Sequence, residues 1–203
     1  MAENFDRFRR FLRDMTNLCD AGADETEIRV EGGARLRDLV AFDDWLPPEF
    51  CEPDPESYRQ YLLYCDPLER FSVVSFVWGP GQRTPVHDHT VWGLIGMLRG
   101  SEIARNYAAE PCGRLMVSGT EMLVPGEVSA VSPLIGDIHR VENALRDRPS
   151  ISIHVYGGNI GAIARHVFAP ETGEAKPFVS GYSNRMLPNL WDRSASVRAR
   201  LAA

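Results

Sequence analysis

No stretch of this 203-residue chain stays apolar for the ~20 residues that a membrane-spanning helix needs, which argues against a helical transmembrane segment. The N-terminus runs from Met1-Ala2-Glu3-Asn4 into charged residues, without the basic region and apolar core of a secretion signal. Cysteine is sparse. Cys19, Cys51, Cys65 and Cys112 stand far apart and form no C-x-x-C pair, so reduced thiols in a cytoplasmic protein fit better than a disulfide framework. Positive charge is not in excess either: 22 Lys and Arg against 28 Asp and Glu leave a net charge of -6, which excludes the cationic footprint of a nucleic-acid binder. Internal repeats and low-complexity segments are absent. A small anionic substrate stays open, because one buried Arg can set a local field.

What remains is an ordinary globular composition, 44% hydrophobic, enough for one sizeable core. The first 65 residues read as helical. Asn4 is a candidate N-cap, with Phe5, Phe8, Leu12 and Met15 following at spacings of three and four and Gly22 as a stop. A second helical pattern carries Leu36, Leu39 and Val40, and a third covers residues 58–64. From Phe71 the texture changes to short β-branched and aromatic runs punctuated by Gly, Pro and charge, beginning with FSVVSFVW before Gly79-Pro80-Gly81. Many short strands at even spacing predict a sandwich or barrel rather than βαβ units. The expectation is one mainly β domain over residues 1–203. It comprises a helical cap (1–65), a jelly-roll-like β-barrel (66–170) and a tail packed on the barrel with little regular structure (171–203).

Histidine is scarce too, and two of the five are His87 and His89. On a strand the side-chain period is two, so His-x-His aims both imidazoles at one face, an arrangement suited to a metal. Spacing alone fits a polar strand equally well. The surroundings are more specific: Gly81, five residues, His87, one residue, His89, then TVWG, six residues and Gly100. Downstream, Gly136 is followed by two residues, His139, three residues and Asn143. These resemble the two motifs of the cupin superfamily, G(x)5HxH(x)3-4E(x)6G and G(x)2H(x)3N. Tight barrel corners use such glycines because their backbone angles exclude other residues. The cupin Glu falls at Gly93, and the usual Pro is displaced to Pro133-Leu134. Three neutral imidazoles without that Glu leave a divalent ion its full charge and open positions, which attract and deprotonate a thiol. A three-histidine zinc hydrolase would share the ligands, so the triad does not select the metal.

Ser152, His154 and Tyr156 alternate with Ile151, Ile153 and Val155 in ISIHVYGG. Three inward polar groups must bond one another, and a chain from hydroxyl through imidazole to phenol would satisfy them. Periodicity alone fits a solvated polar ladder as well.

From about Tyr58 to Trp191 the chain resembles the bacterial branch of the cysteine dioxygenase family, and within it the 3-mercaptopropionate dioxygenases. The stretches that carry the resemblance are RFSVVSFVWGPGQ, TPVHDHTVWGLIGMLRG, SPLIGDIHRVENA, SIHVYGGNIGAIAR and FVSGYSN. It implies a cupin fold, iron(II) on His87, His89 and His139, and Ser152, His154 and Tyr156 as an outer-sphere triad. The implied reaction takes a small thiol and O2 to a sulfinic acid. The resemblance also implies that Arg165 binds the substrate carboxylate. Gln60 then stands where mammalian-type enzymes carry an Arg, with Arg59 the alternative should the register slip by one. A bidentate Arg fork suits a carboxylate better than a single neutral Gln donor. Without the family, Arg165 reads as an exposed strand residue. Mammalian-type enzymes cross-link a Cys to the tyrosine; its position matches Gly93, so Tyr156 is expected unmodified. His166 is read as structural or exposed, and Trp78, Trp92 and Trp191 as core, with Trp92 near enough to His89 to wall a pocket. L-cysteine as substrate, and a non-catalytic metal-binding cupin, are the competing readings. A homo-oligomer is compatible with the sequence, as is a protein without membrane or nucleic-acid partners.

Overall fold

The computed structural model describes residues 5–189. Helix α1 (Phe5–Asp20) buries Phe8, Phe11, Leu12 and Met15 along one stripe. Its end is built by Gly22 at φ 72°, with Gly22 N–H donating to the Cys19 carbonyl and Ala23 N–H to that of Leu18, a Schellman stop. The proposed N-cap Asn4 lies outside the described residues, as does Trp191. After the short α2 (Glu25–Glu27), boxed by Asp24 and Glu27, and a π turn, α3 (Gly33–Val40) buries Leu36, Leu39 and Val40.

Eleven strands follow among the described residues: β1 (Arg59–Cys65), β2 (Ser72–Trp78), β3 (Val86–His87), β4 (Gly93–Arg99), β5 (Glu102–Ala109), β6 (Leu115–Leu123), β7 (Val128–Val131), β8 (His139–Asn143), β9 (Ser150–Tyr156), β10 (Arg165–Ala169) and β11 (Glu174–Phe178). They form two antiparallel sheets, in the orders β1-β2-β9-β4-β7 and β11-β10-β3-β8-β5-β6. This is the expected mainly β, jelly-roll-like arrangement with helices at its N-terminal side.

The helices cover the outer face of the first sheet. Phe8, Met15, Leu36 and Val40 share a core with Val73, Val77, Ile151, Ile153 and Val155. Gly96 lets α3 approach, since a Cβ there would lie 2.9 Å from both Leu36 and Val40. β2 and β9 are therefore covered on both faces, and every residue in them is buried. The opposite face of β9, carrying Ser152, His154 and Tyr156, points into the space between the sheets.

Two readings are corrected. Residues 58–64 are not helical; β1 pairs with β2 in the register Arg59↔Val77 to Cys65↔Ser72. A bulge between Leu62 and Tyr64 breaks its alternation, so the buried positions are Gln60 and Leu63, three apart. That spacing imitates a helix. The tail also contains β11, an edge strand of exposed residues around Pro177, which carries no hydrophobic period to reveal it.

Candidate metal centre and substrate pocket

His87 lies on β3 opposite His139 on β8, and their strand pairing brings the two rings to 4.8 Å between centroids. His89 sits two residues beyond His87 and completes a triangle at 4.9 and 4.8 Å. The glycines of both motifs adopt left-handed angles, φ 73° at Gly81, 76° at Gly100 and 122° at Gly136. Asn143 clamps the corner beside them: its amide donates to the carbonyls of Trp78, Gly79 and Arg148.

One potential ligand atom from each histidine lies within 4.8 Å of the others, and all three side chains are buried. The tautomers are held from behind. His87 Nδ1–H donates to the Pro85 carbonyl at 3.1 Å, and His89 Nδ1–H to Asp137 Oδ1 at 2.9 Å. Asp137 Oδ2 accepts the backbone N–H groups of His89 and Thr90, fixing Thr90 at φ 61°, where a β-branched residue rarely sits. With Nδ1 donating, the His89 Nε2 lone pair is buried without a partner. Burial and the neighbouring His89 hold the His87 imidazole down to about 3, and the same causes push His139 well below its ordinary value. These rings are neutral donors. No carboxylate joins the cluster among the described residues. An orphaned, buried imidazole nitrogen within a three-histidine set fits a divalent transition metal.

The Ser-His-Tyr strand forms the chain its alternation suggests. Ser152 Oγ lies 2.9 Å from His154 Nε2, and His154 Nδ1 lies 2.7 Å from the Tyr156 hydroxyl. The solvated-ladder alternative fails because Ser152, His154 and Tyr156 are themselves buried, at 0%, 3% and 1% exposure. Tyr156, 1% exposed, stacks on His89 with centroids 5.4 Å apart. Burial raises its pKa, keeping the phenol protonated. Gly93 leaves room for this ring: a Cβ there would meet Tyr156 Cδ1 at 3.0 Å.

A pocket of about 180 Å³ opens beside the histidines, lined by His87, His139, His154 and Tyr156 on one side and by Arg165, Gln60 and Tyr58 on the other. Arg165 is 3% exposed, not the surface residue its strand position suggests. Its Nη2 donates to Ser180 Oγ at 2.7 Å, and its guanidinium lies over the Phe178 ring at 4.7 Å. Gln60 Nε2 donates to the same Ser180 Oγ and to the Gly181 carbonyl. With both lone pairs of Ser180 engaged, its O–H remains free to donate. Arg165 Nε is buried without a partner, and no carboxylate pairs with this cation among the described residues. Arg59 instead pairs with Asp54 at the surface, which removes the one-residue alternative. His166 pairs with Asp88 outside the pocket. Trp78 is core, whereas Trp92 packs against Gly157 and does not line the pocket.

Sequence reasoning missed Asp137, Ser180 and Phe178. Asp137 carried a signal, an acid inside the second histidine motif; the other two stand in FVSGYSN, a stretch that carries the resemblance but has no hydrophobic period to mark a role.

A family model for cysteine dioxygenase type I matches residues 41–167. The chain belongs to that family, within the cupin superfamily. It is 24% identical to cysteine dioxygenase type 1 of Bos taurus over 119 residues, covering 57% of this chain and 58% of the relative. Identity to the Homo sapiens protein of the same name is 26% over 107 residues, 51% of this chain and 52% of that one. The chain thus spans about half the length of the curated relatives it matches. Among solved structures, an uncharacterised double-stranded β-helix protein of Klebsiella pneumoniae covers 56% of this chain and 88% of its own, at 19% identity and a TM-score of 0.44. At that level the sheet topology itself, rather than the likeness, carries the fold.

Proposed function

We propose that this chain is a non-haem iron(II) thiol dioxygenase that converts a small carboxylate thiol, 3-mercaptopropionate first among them, and O2 to the sulfinic acid. The reaction balances as R–SH plus O2 to R–SO2H, with sulfur as the reductant. The observation that carries the reading is the juxtaposition, across one pocket of about 180 Å³, of a buried three-histidine donor set with the guanidinium of Arg165, which no carboxylate neutralises among the described residues.

Bound iron(II) on His87, His89 and His139 would supply the redox and Lewis-acid chemistry that joins thiolate to O2. The protein side of the mechanism follows from the residues. Arg165 and the free Ser180 hydroxyl bind the carboxylate, with Gln60 holding Ser180 in place. That fixes the thiol end toward the histidines and supplies proximity. Tyr156 remains protonated and offers a donor at the pocket wall, while His154 and Ser152 orient it. Phe76, Trp78 and Val141 line the walls and exclude bulk water.

Among the described residues no Asp or Glu lines the pocket, which favours a thiol without an ammonium group, since none of these residues would neutralise one. L-cysteine is the second reading, supported by the names of the curated relatives. Cytoplasmic location fits either substrate. Oxygen consumption by the iron-loaded full chain, measured in parallel with 3-mercaptopropionate, L-cysteine, cysteamine and mercaptosuccinate, tests the assignment. We expect the highest kcat/KM with 3-mercaptopropionate. A preference for L-cysteine moves the assignment to the second reading, and no uptake with any thiol overturns both.

A further inference from the structure

After β11 the chain leaves the second sheet at Phe178 and runs to β1, the outer strand of the first, so this strap links the two sheets beside the pocket. Residues 179–184 form no helix or strand, and Ser180 in their midst is exposed, whereas the Arg165 it bonds is buried. Two anchors hold the strap in place of a regular ladder. At β1, Ser183 N–H donates to the Gln60 carbonyl at 2.8 Å, and Gln60 N–H donates to Ser183 Oγ at 3.0 Å. Asn184 repeats the pattern at Leu62, donating to its carbonyl at 2.9 Å and accepting its N–H at 2.8 Å. These bonds cap the free edge of β1. The second anchor is Tyr182. Its ring fills a notch at Gly161, where a Cβ would run into it. Its hydroxyl accepts the Gly161 N–H at 2.9 Å and donates to Asn159 Oδ1 at 2.6 Å. Gly181 N–H donates to the Gly161 carbonyl at 3.0 Å, with Gly181 itself at φ 64°, an angle that favours glycine. Gly161 belongs to the loop that leads into β10 and Arg165.

We propose that Tyr182 is a positioning residue for the carboxylate site: seated at Gly161, it fixes the strap so that Ser180 stands between Arg165 and Gln60 before substrate arrives. Tyr182 does not line the pocket and acts through Ser180, two positions earlier in the chain. A segment without regular structure, left free, would have to be ordered by the substrate itself, at an entropic cost that weakens binding. Ring and hydroxyl divide the task. The ring occupies the notch, and the hydroxyl ties the strap to a backbone N–H and to Asn159, whose own Nδ2 donates to Glu69 Oε1 at 3.0 Å. The histidines line the pocket from β3, β8 and β9, and none of them bonds the strap. Unseating Tyr182 therefore loosens the grip on a carboxylate and leaves the thiol end as it was. The consequence for substrate rests on the thiol dioxygenase reading; the seating of the strap by Tyr182 does not.

The test reads the strap and the ligand separately. The full chain, loaded with diamagnetic Zn(II), is followed by NMR for amide exchange at Gly181 and Ser183, then titrated with 3-mercaptopropionate and with cysteamine. Tyr182→Phe keeps the ring and loses both hydroxyl bonds; it should speed exchange at the two amides by about tenfold, and Tyr182→Ala by about 100-fold. Amides of β2 and β9 should not change. The Kd for 3-mercaptopropionate should rise about fivefold in Tyr182→Phe and about 30-fold in Tyr182→Ala, while that for cysteamine stays within about twofold. Gly161→Ala should match Tyr182→Ala. Combining the two should cost no more than either alone, because the added methyl then meets no ring. Oxygen uptake by the iron-loaded chains should show the same split in KM with kcat nearly constant. Exchange at Gly181 and Ser183 that is indifferent to both Tyr182 variants overturns the proposal. So does an equal rise in the two Kd values, the mark of a merely structural loss. Absent oxygen uptake by wild type with any thiol, alongside the expected exchange and Kd changes, would remove the dioxygenase reading and leave this one standing.

Discussion

Tyr156 lies over His89 at 5.4 Å between ring centroids, their planes 20° apart, while its hydroxyl reaches 2.7 Å to His154 on the same strand. One phenol thus touches both a metal-site imidazole and the triad. Removing only the hydroxyl keeps the stack and cuts the hydrogen bond. Tyr156→Phe is expected to retain metal in wild-type stoichiometry and to lower kcat by roughly ten- to a hundredfold, with a smaller change in KM. Metal analysis beside oxygen-uptake kinetics checks both; unchanged kcat would remove Tyr156 from the reaction.

His139 is the ligand contributed by the second histidine motif, and nothing else in the cluster can replace it. His139→Ala should lose iron on gel filtration. Asp137 holds the His89 tautomer through a 2.9 Å bond, so Asp137→Asn should weaken metal affinity by about 10- to 100-fold without abolishing it. Competition with a chelator of known affinity separates these outcomes.

Arg165 and Gln60 meet at Ser180, yet their charges differ. Loss of the guanidinium should raise KM for 3-mercaptopropionate by roughly 100-fold, the scale of a charge-assisted hydrogen-bond pair. Gln60→Ala should cost about fivefold, through a less well placed Ser180. Cysteamine, lacking a carboxylate, is the control: an equal rise in its KM with Arg165→Ala would refute the assigned role.

Glu102, buried at the start of β5 where Ser150 Oγ donates to its Oε1 at 3.0 Å, makes a stability prediction that needs no metal or substrate. Its carboxyl ionises at about 4.5 in the unfolded chain and at about 8 in the fold. Between those values the unfolded state releases a proton that the folded state keeps, so stability falls as pH rises from 4.5 toward 8. The loss, on the order of 5 kcal/mol at its upper limit, is absent from Glu102→Gln. Urea unfolding should therefore show the variant gaining on wild type from pH 5 to pH 8. A constant difference would mean that Glu102 is already ionised in the fold.

At Gly93 a methyl group would press on both Tyr156 and Val131 at 3.0 Å. Gly93→Ala is expected to destabilise the fold by about 1–3 kcal/mol and to slow turnover by displacing the phenol. A thermal melt together with kcat tests the pair; full activity would show that the ring accommodates the methyl.

The metal triangle was legible through its two motifs, histidines at fixed distances from glycines whose corners take positive φ; the His-x-His spacing alone left it open, and His89 in fact lies just beyond β3. The β9 alternation was equally plain, since it separates Ile151, Ile153 and Val155 from the three polar groups. What the residues alone left open was which environment each face meets. Packing of α1 and α3 buries the apolar side of β9, and the second sheet closes over its polar side; together they turn a polar ladder into an internal relay. β1 was misread because its bulge places Gln60 and Leu63 at helical spacing, a register decided by pairing with β2. Arg165 looked like a surface residue because burial of a charge depends on Ser180, Phe178 and Gln60, which come from 13 to more than 100 positions away. Sequence by itself determined the donor types and their faces; the fold decided which of them share a pocket, because solvent exclusion and hydrogen-bond partnership arise between segments that no local pattern connects.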